Sequence, residues 1–164
     1  MSVNREKPHL VILPEDAPYE NMSNGFINHI NNVRLIQVLP FASGWLKTVD
    51  KLTKEQVPEM RRFSQRMVLL LIDFDQDKNR MEYIIRQIPI DLKERVFILG
   101  VWSESEKLKN CKNEVVQSFE KIGESLAQAC INDDDELWQH ELLKHNLKEI
   151  ERMKPSVKPL LFSP

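Results

Sequence analysis

The sequence is poor in cysteine and glycine and has no long apolar run. Only two cysteines and four glycines occur among 164 residues. Two isolated cysteines without zinc-type spacing exclude a disulfide-rich scaffold and a cysteine zinc centre. A lone glycine such as Gly44 does not make the glycine-rich turn of a P-loop or of a dinucleotide-binding site. The longest wholly apolar stretch, residues 67–72, is far shorter than the roughly 20 residues of a membrane-spanning helix.

An excess of positive charge is also lacking. The formal net charge is −2 and the sequence pI is about 6.1, so no global basic field attracts nucleic acid. A nucleic acid would have to be held locally, for example through metal ions on its phosphates. The N-terminus has no basic-then-apolar signal pattern. We therefore expect a cytoplasmic protein without a membrane association.

Four apolar segments have the composition of buried strands, and helical patterns alternate with them. The predicted strands are residues 9–13, 34–39, 67–75 and 95–102. The predicted helices between them are residues 21–30, 45–52, 54–66 and 77–87. Strands that alternate with helices favour right-handed βαβ crossovers. The sequence therefore predicts an α/β fold with a small parallel sheet of about four strands and helices on both faces.

The last third of the chain is predicted to be a helical extension. Helices are expected at residues 113–131 and 135–153, the second beginning at a run of aspartates. The tail, residues 155–164, contains three prolines and is expected to lie extended, anchored by Leu160, Leu161 and Phe162. We accordingly divide the chain into an α/β core at residues 1–110 and a helical extension at residues 111–164 that packs on the same domain.

Acidic residues follow three of the predicted strands. Glu15, Asp73, Asp75 and Glu104 come at or after strand ends, and parallel α/β sheets bind ligands beyond the carboxyl ends of their strands. Asp73 and Asp75 would share one face if the strand continued through both. Two carboxylates about 4 Å apart repel by about 4 kcal/mol at an effective dielectric constant near 20. A divalent cation, an arginine or a proton must compensate this repulsion, and sites made only of carboxylate oxygens favour Mg²⁺, Mn²⁺ or Ca²⁺ over Zn²⁺.

The order of these parts resembles the toprim domain of topoisomerases, primases and overcoming-lysogenization-defect nucleases. The resemblance covers about residues 9–101, where Glu15, Asp73 and Asp75 match the acidic triad by position. It implies that Glu15 works as a general acid or base and as a metal ligand, and that Asp73 and Asp75 bind Mg²⁺ during phosphodiester cleavage or nucleotidyl transfer. The implied substrate is nucleic acid or a nucleotide. The later part looks like an elaboration found in small toprim-like proteins of prokaryotic defence loci.

The sequence departs from the family pattern beside its glutamate. Asp16 stands where the family often has glycine, and Tyr19 and Glu20 stand where a further aspartate is common. Asp16 and Glu104 are accessory candidates for the acidic site. Gly44 and Lys47, at the start of a predicted helix, are candidates for phosphate binding through the helix N-terminus.

Two other interpretations remain open. The acids could cap the following helix or bond loop amides, and the chain could be a non-enzymatic regulatory or assembly module that binds a protein partner through its helical C-terminus. The replaced glycine favours such a module, whereas the presence of both Asp73 and Asp75 favours an enzyme. Two basic clusters could follow a nucleic-acid backbone or simply be solvated helix faces; they are Arg61, Arg62 and Arg66, and Lys107, Lys109 and Lys112.

Overall fold

The fold is built on one four-stranded, all-parallel sheet. The computed structural model describes residues 3–110, 118–134 and 136–163. The strands β1 (His9–Pro14), β2 (Ile36–Val38), β3 (Arg66–Leu71) and β4 (Val96–Leu99) are arranged in the order β2-β1-β3-β4. In register, Val11 lies beside Gln37 of β2 and Val68 of β3. The predicted α/β class and the parallel sheet are confirmed.

Helices cover both faces of this sheet. The first half of the chain contributes α1 (Ala17–Ile27) and a helical rod composed of α2 (Trp45–Lys51), a π-helical turn (Leu52–Gln56) and α3 (Val57–Arg62). The second half contributes α4 (Lys78–Gln87), α5 (Phe119–Ile131), α6 (Leu147–Met153) and α7 (Val157–Phe162). Short 3₁₀ turns occur at Val33–Leu35, Ile90–Arg95, Ser105–Asn110 and Lys144–Asn146. None of the helices in the described ranges is long and apolar enough to cross a bilayer.

Three apolar clusters form the core. Alternate residues of each strand point to opposite faces, so Val11 and Val68 pack toward the α2–α3 rod and α4 while Leu10 and Met67 pack toward α1 and α7. A third cluster lies between α1 and α5 and continues to Trp138. The helical C-terminal part therefore shares a core with the α/β sheet.

The strand order places a topological switch point between β1 and β3. The chain leaves β1 for β2 on one side and later returns to β3 on the other. In open α/β sheets the two crossovers diverge at such a point and leave a crevice beyond the carboxyl ends of the strands. The residues that directly follow β1 and β3 line this position.

Several predicted elements differ from the structure. The strand expected at residues 67–75 ends at Leu71, and the left-handed conformations of Asp75 and Gln76, with φ of 50° and 56°, exclude an extended backbone through residue 75. A single helix at residues 135–153 is wrong, because the chain runs through turns before α6 begins at Leu147. Those turns bring Trp138 into the third cluster and leave the Leu142 carbonyl to accept the Trp102 amide at 2.9 Å.

The C-terminal tail is helical, and the extended conformation predicted for it is wrong. Pro159 occupies the first turn of α7, where the missing amide hydrogen costs nothing because first-turn amides have no partner inside the helix. Leu161 is buried, and Leu160 and Phe162 pack against the cluster on that face of the sheet. The three apolar residues expected to anchor the tail therefore do so from a helix.

Side chains of the C-terminal part cover the exposed edge of β4. Glu149 Oε2 accepts the Ile98 amide at 2.8 Å. Asn146 accepts the Gly100 amide at 3.0 Å and donates to the Gly100 carbonyl at 2.9 Å. These bonds occupy backbone groups that would otherwise be open to edge-to-edge pairing.

Candidate functional site

Glu15 and Asp73 meet at the switch point. Glu15 follows β1 and Asp73 lies two residues beyond β3, and the two strands are direct neighbours. Glu15 Oε2 accepts the Asp73 amide at 2.6 Å, while the Glu15 amide donates to the Leu71 carbonyl at 2.8 Å. The structure therefore brings two members of the predicted triad together at the carboxyl edge of the sheet.

The Asp73 side chain is held by two donors. Its Oδ1 atom lies 2.6 Å from the Tyr19 hydroxyl and accepts the Ser105 amide at 3.0 Å. Tyr19, which is buried, also accepts the Val101 amide at 2.9 Å. These bonds tie α1, β3 and the segment after β4 to one carboxylate, which fixes its orientation.

Asp16 completes a cluster of three carboxyl groups. It precedes α1 at the N-cap position, yet its side chain makes no capping hydrogen bond. Its Oδ1 atom is buried and has no hydrogen-bond partner within the described ranges. We call Glu15, Asp16 and Asp73 the acidic cluster. Asp16 contributes the one oxygen of this cluster that is both buried and uncommitted.

Burial and mutual repulsion favour protons on the acidic cluster. Burial, with the charges of Asp73 and Asp16, raises the pKa of Glu15 to about 7. Burial and the Asp73 charge raise the pKa of Asp16 to about 6. Burial also raises the pKa of Asp73, although the Tyr19 and Ser105 hydrogen bonds oppose the shift. Near neutral pH the cluster is therefore poised to take up either protons or a cation.

Asp75 does not join the acidic cluster. Its side chain is 68% exposed and lies 3.9 Å from Arg80 Nη2. Asp75 and Gln76 form a tight turn closed by the Asp77 amide and the Phe74 carbonyl at 2.9 Å. The expectation that Asp73 and Asp75 share a face is wrong, because that expectation required an extended backbone through both residues.

Arg80 lies beside the acidic cluster, and its charge opposes the rise in the pKa of Glu15 and of Asp73. Arg80 Nη1 donates to the Asp73 carbonyl at 2.5 Å, and the guanidinium lies 4.5 Å from the centre of the Trp45 ring. The Nε atom is buried without a partner among the residues described. Arg80 thus contacts the backbone of the cluster and leaves the three carboxyl groups without a direct ion pair in the described ranges.

Gly44 and Lys47 lie on the neighbouring loop. The Ser43 and Gly44 amides point at the Glu15 carbonyl at 2.8 and 3.3 Å. The Gly44 amide, which was expected to meet a phosphate, is thus already bonded within the protein. Its φ of 136° is a conformation that glycine adopts readily. Lys47 is exposed, and α2 is a helix of only seven residues.

The remaining charged candidates have different positions. Glu104 is exposed beside the acidic cluster, and its charge raises the pKa of Asp73. Arg66 is buried at the start of β3, on the opposite edge of the sheet, where it donates to His9 and Gln56. Lys109 pairs with Glu106 at 3.5 Å. Lys112, Cys111 and Asp135 lie outside the described residues.

The acidic cluster offers oxygen atoms, which are the ligand atoms that hard divalent cations prefer. Its donors are all carboxylate oxygens, and Asp16 Oδ1 is buried with no hydrogen-bond partner among the described residues. In the described part of the chain, no group of three acidic, histidine or cysteine side chains is arranged to hold an ion. Mg²⁺ commonly uses one or two carboxylates with waters and substrate phosphates. The cluster shares only the type of donor atom with that open mode, and its described residues form no closed protein cage.

No protein-family model matches the chain, and a search of curated proteins finds no match either. The case for any function therefore depends on the geometry of the site.

Two residues that hold the site were not among the predicted site residues. The family resemblance marks Tyr19 only as a departure from its pattern, and none of the sequence motifs includes Arg80. Tyr19 lies three residues before Met22 on the buried face of α1, and a buried tyrosine hydroxyl usually needs a polar partner. That periodicity was the one available signal for Tyr19. Nothing in the sequence pattern marked Arg80.

Proposed function

We propose that this chain is a cytoplasmic, toprim-like phosphotransfer protein that uses Mg²⁺ or Mn²⁺ on nucleic acid or nucleotides. The observation that carries the proposal is the placement of Glu15, Asp16 and Asp73 at the β1–β3 switch point. Three neighbouring carboxyl groups with raised pKa values lack a direct cationic partner among the described residues. A divalent cation would supply the missing charge.

Each member of the cluster has a chemical role in this proposal. Asp16 and Asp73 hold the cation, with Tyr19 and the Ser105 amide orienting the Asp73 carboxylate. Glu15, whose pKa is about 7, can accept or release a proton near neutral pH as a general acid or base. A bound Mg²⁺ would stabilise the negative charge that develops on a transferring phosphoryl group.

Calorimetric titration with MgCl₂ and MnCl₂ tests this proposal. We expect heat of binding with the wild type, and its loss in Asp16→Asn and Asp73→Asn. Asp75→Asn is the matched control, because the same change is made on an exposed aspartate outside the cluster. Metal at about 100 times its dissociation constant should also stabilise the fold by about 2.7 kcal/mol.

Cleavage of single- and double-stranded DNA oligonucleotides with Mn²⁺ measures the activity. Glu15→Gln should abolish cleavage and retain metal binding, because Asp16 and Asp73 are intact. Absence of metal heat in the wild type, or its survival in both cluster variants, would contradict the proposal. Loss of heat in both Asp73→Asn and Asp75→Asn, with heat retained in Asp16→Asn, would assign the metal to the Asp73–Asp75 pair instead.

A second candidate is a non-enzymatic regulatory or assembly module. The observation that favours it is that Asp73 Oδ1 and the Gly44 amide are already bonded inside the protein. The helical C-terminus is the docking surface expected from the sequence, but the buried residues of α7 face the sheet. Apolar side chains near α2 and α4 remain open to a protein partner, with Phe41 42% exposed, Leu46 51% and Tyr83 42%.

Affinity purification from the source cells separates the two candidates. Stable co-purification of one protein, lost in a Leu46→Glu and Tyr83→Glu double variant, together with no metal heat, supports the module. Metal-dependent cleavage by the purified chain supports the enzyme.

A further inference from the structure

A large apolar cavity lies between the sheet and the C-terminal helices. Its volume is about 260 Å³, whereas packed protein interiors contain few voids larger than a water molecule. The wall is formed mainly by aliphatic and aromatic side chains of the strands and of α1, α5, α6 and α7. Water gains little in such a space because it finds few hydrogen-bond partners. The cavity therefore favours an apolar occupant.

One polar group in the wall lacks a partner. Trp138 lines the cavity and is only 8% exposed. Its indole Nε1 atom is buried and finds no acceptor among the described residues. An unpaired buried donor costs about 1–3 kcal/mol. The described residues therefore leave this donor unsatisfied, and the charges at the rim decide which occupant fits.

Charged side chains line the cavity at its solvent-exposed rim. Lys158 Nζ lies 2.6 Å from Asp133 Oδ1, and the Asp133 side chain is 79% exposed. Lys154 also lines the cavity and pairs with Glu151 at 2.5 Å. Exposed ion pairs of this kind contribute little to stability. A carboxylate on a ligand can therefore replace Asp133 as the partner of Lys158 at small cost.

We propose that this cavity binds an unbranched aliphatic carboxylate, such as a fatty acid. The hydrocarbon chain fills the space between the sheet and α1, α5 and α7, and the carboxylate meets Lys158 at the rim. Tyr19 lines this cavity and also contacts Asp73, but filling the cavity requires none of the metal chemistry proposed above. The two proposals can therefore fail independently.

Titration of the purified chain with dodecanoate, followed by calorimetry and tryptophan fluorescence, tests the proposal. We expect saturable binding of dodecanoate and at least about tenfold weaker binding of dodecanol, which lacks the charge. Lys158→Gln should weaken dodecanoate binding about tenfold, as expected for one charge-assisted hydrogen bond. Lys148→Gln is the matched control, since Lys148 is exposed and is not among the lining residues.

A cavity-filling variant separates binding from folding. Ala129 lines the cavity from α5, and Ala129→Leu should raise the melting temperature while abolishing dodecanoate binding. Ala129→Val provides a smaller filling if the leucine does not fit. Failure of the wild type to bind dodecanoate would overturn the proposal. Equal binding by dodecanol, or by a stably folded Ala129→Leu variant, would overturn it as well. If the chain dimerised at higher concentration and the dimer did not bind dodecanoate, the occupant of the cavity would be a second copy of the chain. That result would also overturn the proposal.

Discussion

At the residue scale, Tyr19 connects the site to the core. Its hydroxyl lies 2.9 Å from the Ile72 carbonyl and 2.6 Å from Asp73 Oδ1, and it accepts the Val101 amide. One buried oxygen therefore contacts the backbone just beyond the ends of both β3 and β4. Burial, followed by the charge of Asp73, raises the pKa of Tyr19 well above its ordinary range, so the hydroxyl keeps its proton.

Tyr19→Phe should destabilise the protein by about 1–3 kcal/mol, because the buried Val101 amide loses its acceptor. Urea denaturation followed by circular dichroism measures this change in the free energy of unfolding. Tyr83→Phe is the control, since the Tyr83 side chain is 42% exposed, and it should change stability by less than about 0.5 kcal/mol. Equal stability of the two variants would mean that the Tyr19 hydroxyl bonds contribute nothing.

The raised pKa of Glu15 predicts that the free energy of unfolding depends on pH. Its pKa is raised from 4.5 to about 7, so the folded state binds this proton more tightly than the unfolded state. The resulting stabilisation is complete below about pH 4.5 and is lost as the pH rises through 7. Glu15→Gln keeps an acceptor for the Asp73 amide and removes the titration.

Chemical denaturation at pH 5 and pH 8 measures this effect without added metal. We expect Glu15→Gln to be more stable than the wild type at pH 8, and to lose less stability between the two pH values. Glu94→Gln, the same change at an exposed position outside the acidic cluster, is the control. If Glu15→Gln showed the same dependence of stability on pH as the wild type, a group other than Glu15 would be responsible for it.

At the element scale, the packing of α1 against α5 depends on two glycines. A Cβ atom on Gly25 would lie 2.0 Å from the Glu120 carbonyl oxygen, and one on Gly123 would lie 1.9 Å from that of Met22. The two helix backbones therefore touch where both side chains are absent. This contact positions Tyr19 on α1, and through it Asp73.

Gly123→Ala should destabilise the fold by about 1–3 kcal/mol or more, because the methyl group forces the helices apart. In an open helix the same substitution would be stabilising by about 1 kcal/mol, so the sign of the change is diagnostic. Ser125→Ala in the same helix is the control and should be near neutral. A higher melting temperature in Gly123→Ala than in the wild type would show that α1 and α5 are not in close contact.

At the scale of the whole molecule, the C-terminal part completes the α/β core. Val157 and Leu161 of α7 are buried on the sheet face that α1 also covers. Glu149 and Asn146 bond the open edge of β4. Removal of these residues would expose both an apolar face and a pairing edge, which are two routes to aggregation.

Deletion of residues 157–164 should lower stability by on the order of 3 kcal/mol, given about 1.5–3 kcal/mol for each fully buried aliphatic side chain. It should also increase binding of a hydrophobic dye and promote association. Deletion of residues 163–164 alone is the control. An unchanged melting temperature and a monomeric state after the longer deletion would contradict the packing of α7.

Much of the fold could be predicted because its signals are local. Continuous apolar runs identified the strands, and their alternation with helices required parallel crossovers. That topology was enough to place Glu15 and Asp73 at one edge, since both follow neighbouring parallel strands. The helix predicted at residues 77–87 is α4, and Asp77 caps it from the position just before its first residue.

The details of the site depended on contacts between residues distant in the chain. Asp75 leaves the cluster because backbone bonds to the segment after β4 hold it in a left-handed turn: its amide donates to the Ser103 carbonyl at 3.1 Å. Asp16 joins because α1 begins directly after it, several residues earlier than its apolar pattern suggested. Such conformations are set by packing energies, and local propensities at these positions do not encode them.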